Sequence, residues 1–242
     1  MSLLPENWDQ AQKILVVLAH PDDPEFFLGA TIARWTKAGH LVEYCLLTRG
    51  DKGSDDLEMD PAKLSKIREA EEITAAAILG VHSVEFLEFF DGYLVPDLST
   101  RKAVTRAIRQ HKPDILVSCD PTNLFPNENY INHPDHRAAG QISLDAVFPA
   151  AGNPLFFREL VDEEGLMPHS VKEVWLSLTN QPNVTIDVTE FWETKISALR
   201  EHKTQVGKPE DLEERIRSRF VPGTTLESPR YEESFRRIVF LR

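Results

Sequence analysis

Two short clusters of histidine and aspartate are the residues of this chain best suited to chemistry. The first is His20-Pro21-Asp22-Asp23, and the second, much later in the chain, is His133-Pro134-Asp135-His136. Zinc binds imidazole nitrogen and carboxylate oxygen, and a catalytic zinc site uses three protein ligands and one water. Together the clusters predict a His/Asp/His zinc site with a spare carboxylate beside it.

The first cluster has two interpretations. In a turn, residues three apart can face the same way, so His20 and Asp23 can share one metal while Asp22 points elsewhere and holds a water. Alternatively, the two aspartates cap the following helix, where its dipole favours negative charge, and Pro24 and Glu25 fit that alternative too. His20 is not needed for capping, which favours the metal site.

The second cluster opens a predicted helix, with Pro134 at the first helical position. His133 and His136 are three residues apart and can project toward a common point. The loop before them follows a predicted strand, as the first cluster does. In parallel α/β sheets, ligands gather at the carboxyl ends of strands, so we expect both clusters at one edge.

Apolar runs that alternate with helical patterns position these clusters. The pattern predicts an α/β fold: a three-layer Rossmann-like sandwich with a mostly parallel sheet, right-handed crossovers, helices on both faces and the metal site at the carboxyl ends of the strands. The predicted strands are Lys13–Ala19, Leu41–Thr48, Ser83–Glu88, Asp114–Cys119 and Val171–Leu178. The predicted helices are Phe26–Ala38, Pro61–Leu79, Asp97–Gln110, Pro134–Phe148 and Glu190–Gln205.

No linker divides the chain, so residues 1–242 are interpreted as one domain. The segment 207–242 contains three prolines and a short charged helix, and we expect it to wrap the domain, form a lid or contact another copy. The most basic stretches, Arg215–Arg219 and Arg236-Arg237, lie among acidic residues. We interpret them as solvated helix faces.

Composition excludes several classes of partner. The formal net charge of −12 disfavours nucleic acid and anionic membranes, which both bind basic patches. The polar N-terminus, 1–12, lacks a basic region, and the apolar run after it is too short to span a membrane. Cys45 and Cys119, in apolar segments, predict buried free thiols in a reducing compartment. We expect a cytoplasmic protein.

The two clusters resemble the motifs of the PIG-L/LmbE-like family of zinc-dependent N-deacetylases, Ala-His-Pro-Asp-Asp at 19–23 and His-Pro-Asp-His at 133–136. That family includes enzymes acting on N-acetylglucosaminyl-inositol lipids, the mycothiol precursor and N-acetylchitooligosaccharides. Shorter stretches that look like the family's lie at 48–53, 67–71, 79–80, 91–92, 202–205 and 231–235. Many members continue Asp-Asp-Glu, whereas Pro24 intervenes here.

The resemblance implies a ligand set of His20, Asp23 and His136 around one Zn²⁺ per chain, with Fe²⁺ or Co²⁺ as other divalent candidates. Relatives often form trimers or hexamers, so a homo-oligomer is a further expectation.

The resemblance also assigns catalytic roles. Asp22 becomes the general base, and His133 stabilises or protonates the tetrahedral intermediate, with Asp135 tuning His133. Arg68 resembles the family's substrate-contacting arginine. Whether Asp22 or His133 protonates the leaving amine stays open in the sequence.

The expected function is removal of an acetyl group from a small soluble N-acetylated sugar or amino-sugar conjugate. One alternative is zinc-dependent hydrolysis of another amide, a carbamate or an ester on the same scaffold. Another is a non-catalytic module that binds sugar or metal. A nucleotide-binding domain is disfavoured, since the turn after strand one has one glycine and several acids. Four aromatic residues near the clusters could stack on a sugar ring: Phe26, Phe27, Phe125 and Tyr130. For Phe26 and Phe27, we favour packing in the core over stacking on a sugar.

Overall fold

A sheet of seven strands forms the centre of the computed structural model, which describes residues 5–225 and 227–241. The strands are β1 (Lys13–Leu18), β2 (Leu41–Thr48), β3 (Ser83–Phe89), β4 (Ile115–Cys119), β5 (Glu173–Ser177), β6 (Val184–Asp187) and β7 (Glu232–Val239). Their order is β3-β2-β1-β4-β5-β7-β6. The first five strands of this order are parallel, and β7 runs antiparallel to both of its neighbours.

Helices cover both faces of the sheet. They are α1 (Asp23–Lys37), α2 (Pro61–Ile78), α3 (Leu98–His111), α4 (Pro134–Asp145), α5 (Arg158–Asp162), α6 (Trp192–Leu199) and α7 (Pro209–Arg217). Apolar residues of α1, α2, α6 and α7 pack on one face, and those of α3 and α4 pack on the other. The predicted three-layer α/β sandwich with a mostly parallel sheet is confirmed.

Strand β1 shows why the apolar runs form this sheet. Its residues from Ile14 to Leu18 are fully buried. Because successive side chains of a strand point to opposite faces, Ile14, Val16 and Leu18 join one core while Leu15 and Val17 join the other. A strand covered on both faces reads as a continuous apolar run, as this one does.

The topology brings the two clusters together. Strand β1 lies between β2 and β4, where the order of the strands reverses, and such switch points open a crevice at the carboxyl ends of the strands. The first cluster follows β1, and the second follows β4 after a loop. Helix α4 approaches β4 closely at Gly140, where a side chain would collide with the carbonyl of Cys119. This glycine therefore allows α4 to lie close to the end of β4.

The segment 207–242 differs in part from the expectation. Within it lie α7 and β7, and β7 is an internal strand between β5 and β6 rather than part of a wrapping segment. Neither β6 nor β7 was predicted. Residues 226 and 242 of this segment are outside the described residues.

Two predicted helices are shorter than expected. Helix α4 ends at Asp145, and a wide turn over Ala146–Ala151 follows, because Pro149 disfavours helical backbone at Phe148, which is extended. The helix predicted over 190–205 is a short 3₁₀ turn, Thr189–Phe191, followed by α6. Cys45 and Cys119 are buried free thiols. Among the helices of the described chain, none has the length and apolarity to span a membrane.

Candidate active site and metal centre

The first cluster forms a strained turn that helix α2 holds in place. Asp22 has a left-handed backbone with φ of 92°, which is costly for a residue with a side chain. Arg68 donates through Nη2 to the carbonyl of Pro21 at 2.6 Å, and the N–H of Asp22 donates to Glu72 Oε2 at 2.9 Å. Both polar groups of the Pro21–Asp22 peptide thus bind side chains one turn apart on α2.

Asp22 does not act as a side-chain cap. Its carboxylate makes no capping hydrogen bond to α1, and its Oδ2 lies 3.4 Å from Nη2 of Arg68. Burial raises the pKa of the Asp22 carboxyl to about 6, against the lowering effect of Arg68 and with a further contribution from Asp23. A carboxylate with that pKa can accept a proton near neutral pH and release it again.

Asp23 and two histidines form a compact donor set. Asp23 Oδ1 lies 3.0 Å from Nε2 of His136, and Asp23 Oδ2 lies 3.3 Å from Nδ1 of His20. Burial alone would raise the pKa of Asp23, but His136 and His20 outweigh it and hold the pKa well below its usual range. The structure therefore brings together the three residues that were predicted as zinc ligands.

In each ring the nitrogen that faces away from Asp23 is held by an oxygen acceptor, so the nitrogen that faces Asp23 can bind a metal together with that carboxylate. His136 Nδ1 lies 3.0 Å from Oδ1 of Asn132, an acceptor, so this nitrogen carries the proton and Nε2 keeps its lone pair. His20 Nε2 lies 3.0 Å from Asp91 and 3.3 Å from Asp135, so its proton faces these carboxylates and Nδ1 faces Asp23. Metal-binding histidines commonly donate their other N–H in this way, so the donor set fits zinc.

His133 lies beside this donor set. Its ring centroid is 4.8 Å from that of His20 and 5.2 Å from that of His136, and ligand atoms of the three histidines lie within 4.8 Å of one another. The N–H of Asp135 donates to His133 Nδ1 at 3.2 Å, so the ring proton is on Nε2. Burial, with His20 and His136, lowers the pKa of His133 and favours its neutral form.

The carboxylate of Asp135 is aimed at His20 and at the loop after β3. It accepts hydrogen bonds from the N–H groups of Gly92 at 2.7 Å and Leu94 at 3.2 Å. Asp135 thus orients His20 directly, and it acts on His133 through its backbone N–H. Asp91, which the sequence analysis had matched without giving it a role, is the second carboxylate on His20.

Arg68 is more deeply placed than a substrate contact requires. Only 4% of the residue is exposed, and its guanidinium also donates to the carbonyl of Gly50 at 3.0 Å. Arg68 does line the same cavity as Asp22. Its contacts within the protein make it the residue that fixes the turn carrying Asp22.

A fully buried acidic cluster supports this turn from behind. His202 Nε2 lies 3.2 Å from Glu25 and 3.9 Å from Glu72, and the hydroxyl of Tyr44 donates to Glu25 at 3.3 Å. Burial raises the pKa of Glu25 to about 8 and raises that of Glu72 well above its usual value. The sequence analysis missed Glu72, although its spacing of four from Arg68 puts both on one face of α2.

One cavity of about 1110 Å³ is lined by all of the predicted site residues except Asp135, which lies behind the wall. Asp22, the three histidines and Arg68 line it, and Phe26, Phe27 and Tyr130 add aromatic wall. Phe27 also packs edge-on against His136, with ring centroids 5.1 Å apart. Phe125 is exposed, and it is not among the residues that line this cavity.

The fold and this site define the class: a hydrolytic enzyme with a candidate metal centre at the switch point of a mostly parallel sheet. Residues 15–147 match the PIG-L family model, which is described as GlcNAc-PI de-N-acetylase. The chain belongs to this family.

The chain is also similar to named deacetylases and to solved structures. Over 208 residues the chain is 38% identical to the diacetylchitobiose deacetylase of Thermococcus kodakarensis, covering 86% of this chain and 74% of that protein. It is 30% identical to a 1D-myo-inositol 2-acetamido-2-deoxy-alpha-D-glucopyranoside deacetylase of Kineococcus radiotolerans, over 61% of this chain and 48% of that one. The structure of N,N'-diacetylchitobiose deacetylase from Pyrococcus horikoshii is similar with a TM-score of 0.83 and 31% identity, over 95% and 85% of the two chains.

Proposed function

We propose that this protein is a zinc-dependent N-deacetylase that releases acetate from an N-acetylated sugar or amino-sugar conjugate. The observation that carries the proposal is the placement of Asp22. Its carboxylate shares a cavity with His20, Asp23 and His136 but is held by Arg68, outside the donor set. A base kept off the metal ligands has a use in hydrolysis and none in simple binding.

His20, Asp23 and His136 would hold the metal, and a bound zinc supplies a water of lowered pKa and polarises the amide carbonyl. Asp22 would accept the proton of the attacking water, a role that typically contributes about 10²–10⁴-fold in rate. Neutral His133 would donate its Nε2 proton as a hydrogen bond to the developing oxyanion, where loss of one donor costs roughly 10²–10³-fold.

The leaving amine needs a proton, and the electrostatics favour Asp22 as its source. Once protonated, Asp22 has a pKa of about 6 and can pass the proton on. The lowered pKa of His133 keeps that ring neutral, so it is a poorer acid for the amine but a stable hydrogen-bond donor. Asp22 would therefore act as base and then as acid.

The substrate part of the proposal draws on the relatives, whose names specify acetylated glucosamine compounds. The aromatic ring of Tyr130 in the cavity wall suits a sugar ring, whereas Phe26 packs against the core as expected. The native metal, a cytoplasmic location and a trimer or hexamer remain expectations from the sequence.

The experiment measures acetate release from a panel of N-acetylated sugars and conjugates, with bound metal quantified on the same sample. Asp22→Asn should keep the metal and lose at least 10²-fold in kcat, whereas His136→Ala should lose the metal as well. Asp55→Asn, at an exposed residue, is the matched control and should behave as the parent. Full activity of Asp22→Asn would refute the assignment of the base.

The same panel, extended with carbamates and esters, tests the alternative substrates. Turnover of an ester or carbamate without acetate release from any N-acetyl sugar would favour the alternative hydrolase. Retained metal without turnover of any panel member would favour the binding module.

A further inference from the structure

A second stretch of the cavity wall contains two arginines without acidic partners. Arg215 lies in the last turns of α7 and Arg219 follows just after that helix, and both line the cavity that contains the metal donors. The two side chains border the same space although only Arg215 lies within the helix. They are part of the stretch that the sequence analysis assigned to a solvated helix face.

Neither guanidinium forms a hydrogen bond or an ion pair within 5–225 and 227–241. Arg215 lies over the ring of Phe26, with Cζ 5.7 Å from the ring centroid. Arg217, between the two, behaves differently because it is paired with Glu193 and Glu213. The two arginines that line the cavity are therefore unpaired, whereas the arginine between them is paired.

The acids of this wall are already neutralised by other cations. Glu232 accepts from Arg230 Nη2 at 2.6 Å, and Glu233 accepts from Lys195 Nζ at 2.7 Å. Two positive charges are thus left without compensation in a chain of net charge −12. Burial, with the nearby charge of Arg215, lowers the pKa of Arg219, as expected for like charges held together.

An unused donor lies in the same wall. Trp192 is 3% exposed and lines the cavity, and its indole N–H has no acceptor among the described residues. A buried N–H without a partner costs free energy. This end of the cavity therefore carries two guanidinium groups that no carboxylate of the described residues pairs with.

The arginines are close enough to the metal donors to share one substrate with them. Phe26, under Arg215, is three residues after Asp23 in the first turn of α1, and one helical turn spans about 5.4 Å. The cavity, at about 1110 Å³, exceeds the roughly 300–1,000 Å³ of most small-molecule pockets. It has room for a group beyond an acetylated sugar ring.

We propose that Arg215 and Arg219 form an anion subsite that binds a carboxylate or phosphate carried by the substrate beyond its acetylated sugar. The planar guanidinium fork matches either group in a bidentate manner. The inference rests on the proposed deacetylase function and narrows its substrate class to anionic conjugates.

The test uses three matched glycosides of N-acetylglucosamine with the metal-loaded full chain: the methyl, carboxymethyl and phosphoethyl forms. We expect a higher kcat/KM for at least one anionic glycoside than for the methyl form. Arg215→Gln and Arg219→Gln should each reduce this preference about tenfold, as loss of a charge-assisted hydrogen bond does. Arg217→Gln removes a charge from the same helix outside the cavity and should retain the preference.

Two further comparisons test whether the preference is electrostatic and which anion is bound. The preference should weaken as ionic strength rises, since Arg215 and Arg219 are exposed residues and salt screens charges that solvent reaches. A gain confined to the carboxymethyl or to the phosphoethyl glycoside identifies the anion. Equal kcat/KM for all three glycosides, or a preference that survives both substitutions, would overturn the anion subsite.

Failure of the deacetylase proposal is distinguishable from failure of the subsite. If no glycoside releases acetate, the proposed function fails, and calorimetric binding of the same three compounds decides the subsite. Tighter binding of an anionic glycoside that Arg215→Gln weakens would support the subsite on its own. Equal binding of the three compounds would refute it.

Discussion

Substitution of Arg68 separates two roles, contact with substrate and positioning of Asp22. The guanidinium donates to the carbonyls of Pro21 and Gly50 and lies 3.4 Å from the Asp22 carboxylate. Arg68→Met removes all three contacts and leaves Asp22 without its cation. Breaking such a buried set should cost about 3–5 kcal/mol of stability. Misplacement of the base by about 1 Å should cost on the order of 10²-fold in kcat.

Arg68→Lys keeps the charge but cannot reach both carbonyls, so it remains informative if Arg68→Met fails to fold. We expect a lower kcat with little change in KM, because the residue acts through Asp22. The pH profile supplies a second readout. The base works only when deprotonated, so activity rises with pH through the pKa of Asp22. Without a cation at position 68 that pKa rises, and the acidic limb of Arg68→Met should move to higher pH.

The assay is acetate release over a range of pH and substrate concentration, with the melting temperature recorded for each variant. Arg101→Lys is the control. Arg101 is half-buried and paired with Asp145, and both residues lie in the helical layer on the other side of the sheet from Arg68. A raised KM with unchanged kcat and an unshifted acidic limb would refute positioning and restore the substrate contact that the sequence analysis had assigned.

Three further perturbations test other parts of the structure. Gly53→Ala places a methyl group against the guanidinium of Arg68, so kcat should fall about tenfold or more while the protein stays folded; unchanged kcat would contradict this. Lys195→Met leaves the buried carboxylate of Glu233 without its cation and should lower the free energy of unfolding by about 3–5 kcal/mol. The control, Lys203→Met at an exposed lysine, should lower it by less than about 0.5 kcal/mol. Urea titration measures both. Folded Glu25 keeps its proton up to about pH 8, whereas the unfolded residue loses it near 4.5, so the folded state binds more protons in this window. Stability of metal-free protein should therefore fall as pH rises, by up to about 1.4 kcal/mol per pH unit for this group, and Glu25→Gln should make that slope shallower in urea titrations at several pH values.

The sequence predicted the parallel part of the fold well because the signal there is strong. Strands such as β1 and β2 are apolar on both faces, and β2 has the predicted bounds Leu41–Thr48. Strand β7 carries two adjacent pairs of charged residues, Glu232-Glu233 and Arg236-Arg237, and only Glu233 and Phe235 of this strand are buried. A strand of that pattern resembles a solvated segment, and β6, with four residues, is too short for periodicity to show.

In the site, too, some contacts could be predicted from the sequence and others could not. Residues within one motif, such as His20 and Asp23, have relative positions that a short turn fixes, so their proximity was predictable. The target of Asp135 was not, because the N–H groups of Gly92 and Leu94 come from a loop that tertiary packing alone brings near. Burial of Arg68 likewise depends on how α2 packs, which a sequence motif does not encode.

The insertion of β7 between β5 and β6 constrains the order in which the chain folds during synthesis. Strand β6 pairs with β7, and the other edge of β7 pairs with β5. Both strands leave the ribosome earlier than β7 does, so each exposes unpaired backbone groups until Glu232–Val239 arrives. Unpaired strand edges recruit other chains. The chain should therefore be most vulnerable to aggregation in states in which β7 has not yet docked between β5 and β6, and the Glu232–Ser234 wall of the cavity is absent from those states.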